Sequence, residues 1–346
     1  MRKRLRWMLI TALPVLCAAL GWWVLPWCVS LPDSLIQSRT PSVSFAASDG
    51  TPLRQLLTTE GDRVSGSIPF ESLPAPLIKA TLAAEDQRFW SHGGVDLLAV
   101  ARAVRDNASA GRIVSGASTI HQQLIKVSAQ RAGKRTLGVK LVEALQARRL
   151  SMTWPRERVL TEYLSRISYG NLLTGCTTAA SGYFNKPLSD LTVAECALLA
   201  AIPQSPTRYN PFRQLENIRP RQQRILEAMH EHGWLTDEGL RVALTEKLSL
   251  QRFTGGFAAP HAVELIKAQH LAMTGTIQTT IDSALQQQVE EIIRARLAAL
   301  KDRHVTQAAA VVIDNATGHI LALAGSRDFF AADGGQINGA WAPHSP

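Results

Sequence analysis

The chain has 346 residues, room for about two domains at roughly 150 residues each, with cores large enough to fold without staples. An apolar share of 46% against 19% charged residues excludes a disordered chain, and the modest Gly and Pro counts exclude collagen-like or low-complexity architectures. Four cysteines, Cys17, Cys28, Cys176 and Cys196, contain no C-x-x-C pair and are too sparse for a disulfide scaffold or a zinc cluster; of the formal charge of +9 four units lie in the first six residues, and the spread, mild excess on the rest argues against a nucleic-acid partner.

Arg2, Lys3, Arg4 and Arg6 precede any acidic residue, and Trp7 to Val29 carries no charge. A helix over that run would measure about 35 Å, enough to cross the hydrocarbon core. The expectation is a cytoplasmic tail (residues 1–6) and a transmembrane signal-anchor (7–29), with everything after it on the outer side by the positive-inside rule. Trp22, Trp23 and Trp27 would form the aromatic belt at the outer interface.

Residues 30–69 contain short strand-like pieces with turn signals, such as Val43-Ser44-Phe45 before Asp49-Gly50, and read as a membrane-proximal segment. From 70 to 250 the apolar residues repeat at helical spacing, as in Leu137, Leu141, Ala144 and Leu145. Thr192 with Glu195 is a capping box that opens an apolar helix from Ala194 to Ile202. Residues 251–275, around Gly255-Gly256, read as a linker. Between 276 and 346 a strand at Ile277 to Ile281, a helix capped by Asp282 and a hairpin of Ala308 to Ile313 with His319 to Ala324 begin an α/β or α+β domain.

Three clusters could carry chemistry. Glu85-Asp86 ends a helix beside Phe89, Trp90 and His92, where desolvation can raise a carboxyl pKa toward that of a general base. Ser118 can cap a helix on which Thr119, Gln123 and Lys126 share a face suited to phosphate or sugar hydroxyls. Lys140 and Glu143 share a third face. Each cluster alone is equally a solvated helix surface or an ordinary ion pair.

In order they become specific. Glu85 to Gly94 resembles the ED-x-x-F-x-x-H-x-G signature of the peptidoglycan glycosyltransferases (family 51), and Gly116 to Lys126 resembles their G-x-S-T-I-x-Q-Q-L-x-K signature. Lys140, Glu143, Ala144 and Ala147 match R-K-x-x-E-A-x-x-A. Tyr163-Leu164, Tyr169, Gly175, Tyr183-Phe184, Lys186 and Ala194-Glu195 match the fourth signature. Thr279-Thr280-Ile281-Asp282 is similar to the segment leading into the transpeptidase of class A, bifunctional penicillin-binding proteins, nearest the 1C type.

The resemblance implies a mainly α fold: a lysozyme-like glycosyltransferase domain after one transmembrane helix, followed by the truncated start of an α/β transpeptidase domain. It implies an inverting enzyme that joins lipid II into β-1,4-linked glycan and releases undecaprenyl pyrophosphate at the outer face of a bacterial inner membrane. Glu85 is the expected base. Glu143 is the expected second carboxylate, orienting the donor or holding a metal. Ser118, Thr119, Gln122, Gln123, Lys126, Arg135 and Lys140 are the expected substrate contacts, supported by Asp86, Phe89 and His92. No cofactor is expected to be obligatory, although a divalent cation, Mg2+ or Mn2+, would help neutralise the leaving group. Expected partners are lipid II, the growing glycan, inner-membrane lipids and other cell-wall synthases. Apolar residues Ile113, Val114, Ile125 and Val127 are expected to dip into lipid.

The sequence departs from the family pattern at Val139, Val127 and Ser165, where Arg, Asn and Asn are usual, and Arg135 is displaced by one residue. The chain ends at His344-Ser345-Pro346, ahead of any P-G-S-x-x-K nucleophile, so neither crosslinking nor β-lactam acylation is expected. A weak or inactive protein that only binds lipid II or a partner synthase, and a lysozyme-like hydrolase, are the two alternatives.

Overall fold

Polar caps and glycine stops set the helix boundaries in the computed structural model, which describes residues 20–37, 40–58, 61–112, 116–129, 136–251, 258–270 and 273–342. The chain divides into two units, one comprising 1–39 and 67–251, the other 40–66 and 252–346.

The first unit is helical. Helix α1, Ala75–Glu85, starts at a proline-containing turn and buries Leu77, Ala80 and Leu82. Asp96 caps α2, Leu97–Ala110, which stops at Gly111 in the left-handed region (φ 62°). Thr119 and Gln122 form a capping box on α3, Ile120–Ser128, and Thr136 caps α4, Leu137–Thr153. Then follow α5, Arg156–Arg166, α6, Cys176–Phe184, and α7, Val193–Ala201. The Thr192–Glu195 box opens α7 as its spacing predicts. Asn210 caps α8, Pro211–Glu231, and Thr236 caps α9, Asp237–Thr245.

Helix α7 is apolar on every side and is buried from Ala194 to Ala201, so it forms the centre of the unit. Helices α1 and α8 pack on it, while α3 packs on α4 and α5. Burial in this core pushes the Cys176 and Cys196 thiols up to about 12, which makes them inert packing groups.

In the second unit β1, Ser44–Ala46, lies between antiparallel β2, Pro52–Gln55, and parallel β3, Thr276–Gln278. Helix α10, Pro260–Gln269, places Val263 against Phe45 and Leu53. Asp282 caps α11, Ser283–Ala299, and β4, Ala310–Ile313, pairs antiparallel with β5, Ile320–Ala324.

Two expected boundaries change. Residues 30–69 are not one segment, because Phe45 and Leu53 are buried in a cluster with Val263, Ile281 and Leu323, and 40–66 joins the second unit. The expected linker 251–275 contains α10, whose Ala262 and Val263 are buried.

Most of the expected anchor, residues 7–19, lies outside the described residues. Residues 20–24 are helical, Leu25–Cys28 tightens into a 3-10 turn carrying Pro26, and Val29 is extended, so the helix does not run on to Val29. Among the described residues no helix is long and apolar enough to cross a membrane.

Candidate active site

Glu85 is the last residue of α1, and Asp86 leaves helical geometry at φ −163° and ψ 73°. The break gives two adjacent carboxylates separate surroundings. Gln123 on α3 donates its amide to Glu85 Oε2 at 2.8 Å, and Arg221 on α8 donates to Glu85 Oε1 at 2.9 Å. The Tyr163 hydroxyl on α5 donates to Gln123 Oε1 at 3.2 Å, which fixes the amide with its NH2 toward Glu85. Burial leaves the Glu85 and Arg221 side chains each only 13% exposed. It pushes Glu85 above the usual carboxylate range, with Asp86 adding repulsion, while Gln123 and Arg221 pull it back without restoring it. Burial also holds the Tyr163 phenol well above its ordinary value, so it stays a donor. Two of about four carboxylate lone-pair positions are occupied, leaving room to receive a proton.

Asp86 has a different occupation. Its Oδ2 accepts the Ile120 backbone N–H at 2.9 Å, and both oxygens lie within 3.0 Å of His92 Nε2. The Gly94 N–H donates to His92 Nδ1 at 3.2 Å, so the ring proton is on Nε2 and points at Asp86. Thr119 closes the loop by donating its hydroxyl to the Gly94 carbonyl at 2.6 Å. The end of α1 and the start of α3 are thereby tied together directly behind Glu85.

Glycine is required here by close approach. Gly94 sits at φ +88°, and a Cβ there would lie 2.3 Å from the Ala147 carbonyl oxygen on α4. At Gly93 a Cβ would lie 2.1 Å from the Arg148 guanidinium, which donates to the Gly93 carbonyl at 3.2 Å. Arg148 also stacks over Trp23 at 4.6 Å, and Arg149 over Trp27 at 5.6 Å, so α4 fastens the segment after residue 20 to the same loop.

Several expected substrate contacts are otherwise engaged. Thr119, not Ser118, is the N-cap of α3; its hydroxyl accepts from Gln122 N, and the Gln122 side chain accepts from Thr119 N. The Thr119 hydroxyl is engaged by the capping box and the Gly94 bond, and Gln122 uses its amide oxygen in the box. Ser118 is exposed in the turn before the helix. Gln123 reaches Glu85, which makes it a partner of the base. Lys126 and Lys140 are exposed and Glu143 is buried. Among the described contacts none joins these three residues to Glu85. Arg135, Ile113 and Val114 lie outside the described residues.

Phe89 is fully buried against the rings of Trp90 at 5.0 Å and His121 at 5.2 Å, and Arg156 donates to its carbonyl at 2.6 Å. The described partners of Glu85 are thus polar, and Phe89 packs one turn away. Ile125 is fully buried with Ile120 and Leu124, so it does not face lipid, and Val127 is half-buried. Exposed apolar side chains instead lie at Leu97, Leu98 and Val104 on α2 and Leu137 and Leu141 on α4.

Residues 49–230 match the protein family described as Transglycosylase. The chain belongs to this family. Penicillin-binding protein 1A of Neisseria flavescens is 35% identical over 262 residues, covering 73% of this chain and 32% of that protein. The corresponding protein of Aquifex aeolicus (strain VF5) is 34% identical over 262 residues, covering 73% and 36%. Penicillin-binding protein 4 of Bacillus subtilis (strain 168) is 33% identical over 202 residues, covering 58% and 32%. A crystal structure of penicillin-binding protein 1A from Haemophilus influenzae aligns with 81% of this chain and 32% of its own at a TM-score of 0.38 and 19% identity. The chain spans about a third of the length of the relatives it matches. The 1C assignment rests on the motifs alone.

Within this Transglycosylase domain, three residues near the site escape sequence reasoning. Arg221 is 136 positions from Glu85 and sits in a helix rich in Arg and Gln, where no spacing distinguishes it. Tyr163 reads as a core residue of the fourth signature. His121 is fully buried, and burial pushes its ring down to about 3, so it is neutral.

Proposed function

We propose that the chain is a peptidoglycan glycosyltransferase that polymerises lipid II into β-1,4-linked glycan with release of undecaprenyl pyrophosphate. One observation carries this reading: in a domain of the Transglycosylase family, the glutamate that opens the first signature is a buried carboxylate of raised pKa, held at both oxygens by Gln123 and Arg221.

A sugar hydroxyl is a poor nucleophile until its proton is removed. In this mechanism Glu85 takes the proton as the acceptor oxygen attacks the donor's anomeric carbon from the face opposite the pyrophosphate. The carbon–oxygen bond to pyrophosphate breaks, its electron pair leaves with the pyrophosphate, and the configuration inverts. Gln123 and Arg221 hold the carboxylate in one rotamer for this transfer, and Tyr163 holds Gln123. Asp86 and His92 keep the loop behind it in place. Lys126, Lys140 and Arg135 are the cations assigned to the departing pyrophosphate, with Glu143 orienting the donor. A divalent cation, if bound, would be held by Glu143 together with the pyrophosphate itself and would supply charge neutralisation of the leaving group.

The lipid-linked substrate agrees with the exposed apolar surface of the helical unit. A pocket lined by Trp22, Leu97, Leu98 and Arg148 joins residues of the segment after residue 20 and of α2, which supports this reading. The protein is accordingly assigned to the bacterial inner membrane as a single-pass protein, with residues 1–6 cytoplasmic and the catalytic unit periplasmic.

The test is detergent-extracted full chain incubated with labelled lipid II or with purified cell-wall sacculi. The reading expects high-molecular-weight glycan from lipid II and no fragments from sacculi. Soluble fragments from sacculi without polymer from lipid II would replace it with a hydrolase.

A further inference from the structure

His121 stands at an open position of the second signature, between Ile120 and Gln122, and the glycan chemistry leaves it unused. It is the second residue of α3 and is fully buried, yet neither ring nitrogen has a hydrogen-bond partner among the described residues. Buried imidazole nitrogens are ordinarily satisfied. Its ring lies 5.6 Å from that of His92, and one ligand atom from each of Asp86, His92 and His121 falls within 4.8 Å of the others. All three side chains are buried.

We propose that Asp86, His92 and His121 form a buried three-ligand binding site for a divalent transition-metal ion of the zinc class. Two imidazoles and a carboxylate are a donor set that suits zinc, whereas Mg2+ prefers oxygen ligands and keeps its waters. Metal–ligand bonds of about 2.1 Å place tetrahedral ligand atoms roughly 3.4 Å apart, so the site closes with a shift of about an ångström. The proton balance is explicit. When His92 Nε2 binds the ion, the ring proton moves to Nδ1, and the Gly94 N–H gives up its long 3.2 Å bond. Asp86 turns one oxygen to the ion and keeps the Ile120 N–H on the other. His121 supplies an unoccupied lone pair and loses no bond. The fourth position is left to water. The ion would bolt the start of α3 to the loop behind Glu85, and this assignment stands whether or not the glycan reading does.

The experiment uses the full chain in detergent, stripped of metal by a chelator and titrated with Zn2+ against a chromogenic chelator, and separately with Co2+. The expected result is one saturable equivalent, visible bands of tetrahedral intensity with Co2+, and a Tm raised by several degrees with Zn2+. His121→Leu should bind at least about 100-fold more weakly while keeping the circular-dichroism spectrum and a metal-free Tm no lower than the parent's. His121→Cys should retain one equivalent and add a thiolate-to-Co2+ charge-transfer band, an outcome that a purely structural His121 cannot give. Absence of saturable binding, or binding unchanged in His121→Leu, overturns the proposal.

Discussion

Gln123 and Tyr163 stand in series behind the base: the phenol donates to the amide oxygen at 3.2 Å, and the amide NH2 donates to Glu85 at 2.8 Å. Tyr163→Phe keeps the ring in the core and removes only the first of these donors. Gln123 can then rotate, and Glu85 loses a fixed orientation. The expected cost is about 1 kcal/mol in stability from one lost hydrogen bond. Turnover of lipid II should fall roughly tenfold with KM little changed, since misplacement acts on the transition state. Unchanged kcat in Tyr163→Phe would remove this residue from the positioning chain.

Arg221 predicts a pH effect with a definite sign. Burial raises the Glu85 pKa and Arg221 opposes that rise, so removing the guanidinium raises it further. A base must be deprotonated, so the rate falls as pH drops through the pKa of Glu85. The parent's acid limb in kcat/KM should lie above the ordinary glutamate value, and that of Arg221→Met should lie higher still. Truncating one partner of a buried pair also costs about 3 kcal/mol, visible as a lowered Tm. An acid limb that stays in place or moves down contradicts the pairing.

Gly94→Ala places a Cβ in a left-handed position and against the Ala147 carbonyl. The strain and overlap should cost about 2–4 kcal/mol by chemical denaturation. Gly50 also has positive φ but meets nothing within 4 Å, so Gly50→Ala should cost about 1 kcal/mol. The ordering of the two variants is the check.

Val139 is half-buried in the first turn of α4, one position before Lys140. Val139→Arg adds a cation near the proposed pyrophosphate position. A charge-assisted contact of about 1.5–3 kcal/mol corresponds to a gain of roughly tenfold or more in polymerisation rate. The helix dipole opposes a cation there by about 0.5 kcal/mol, too little to cancel the gain. A rate unchanged by Val139→Arg would place the leaving group elsewhere.

The parts of the fold written in local rules were legible. Asp282, Thr192 and the Asn315 to Gly318 turn announce themselves by side-chain chemistry, and α11, α7 and the β4–β5 hairpin follow. Long-range pairing was not. Ser44 to Ala46 pairs with Thr276 to Gln278 across more than two hundred residues, a pairing that no local spacing records. The site divides in the same way. Glu85, Asp86 and His92 lie within eight residues and are visible as one signature. Arg221 is recruited by tertiary packing of α8 on α1, which no spacing records. At Thr119 and Gln122 the sequence is ambiguous, because one hydroxyl and one amide serve equally for a ligand or for a helix cap, and the cap and the Gly94 bond form only in the folded structure.

Glu85→Gln tests the central claim most directly, because it keeps the size and shape of the side chain while removing the base, at the cost of one charge of the buried pair with Arg221. Polymerisation of labelled lipid II by the variant should fall by about 10²–10⁴ with lipid II binding retained, and Tm should fall as it does when the buried pair is broken from the Arg221 side. Polymer formed by Glu85→Gln at the parent's rate would contradict the assignment of Glu85 as the proton acceptor.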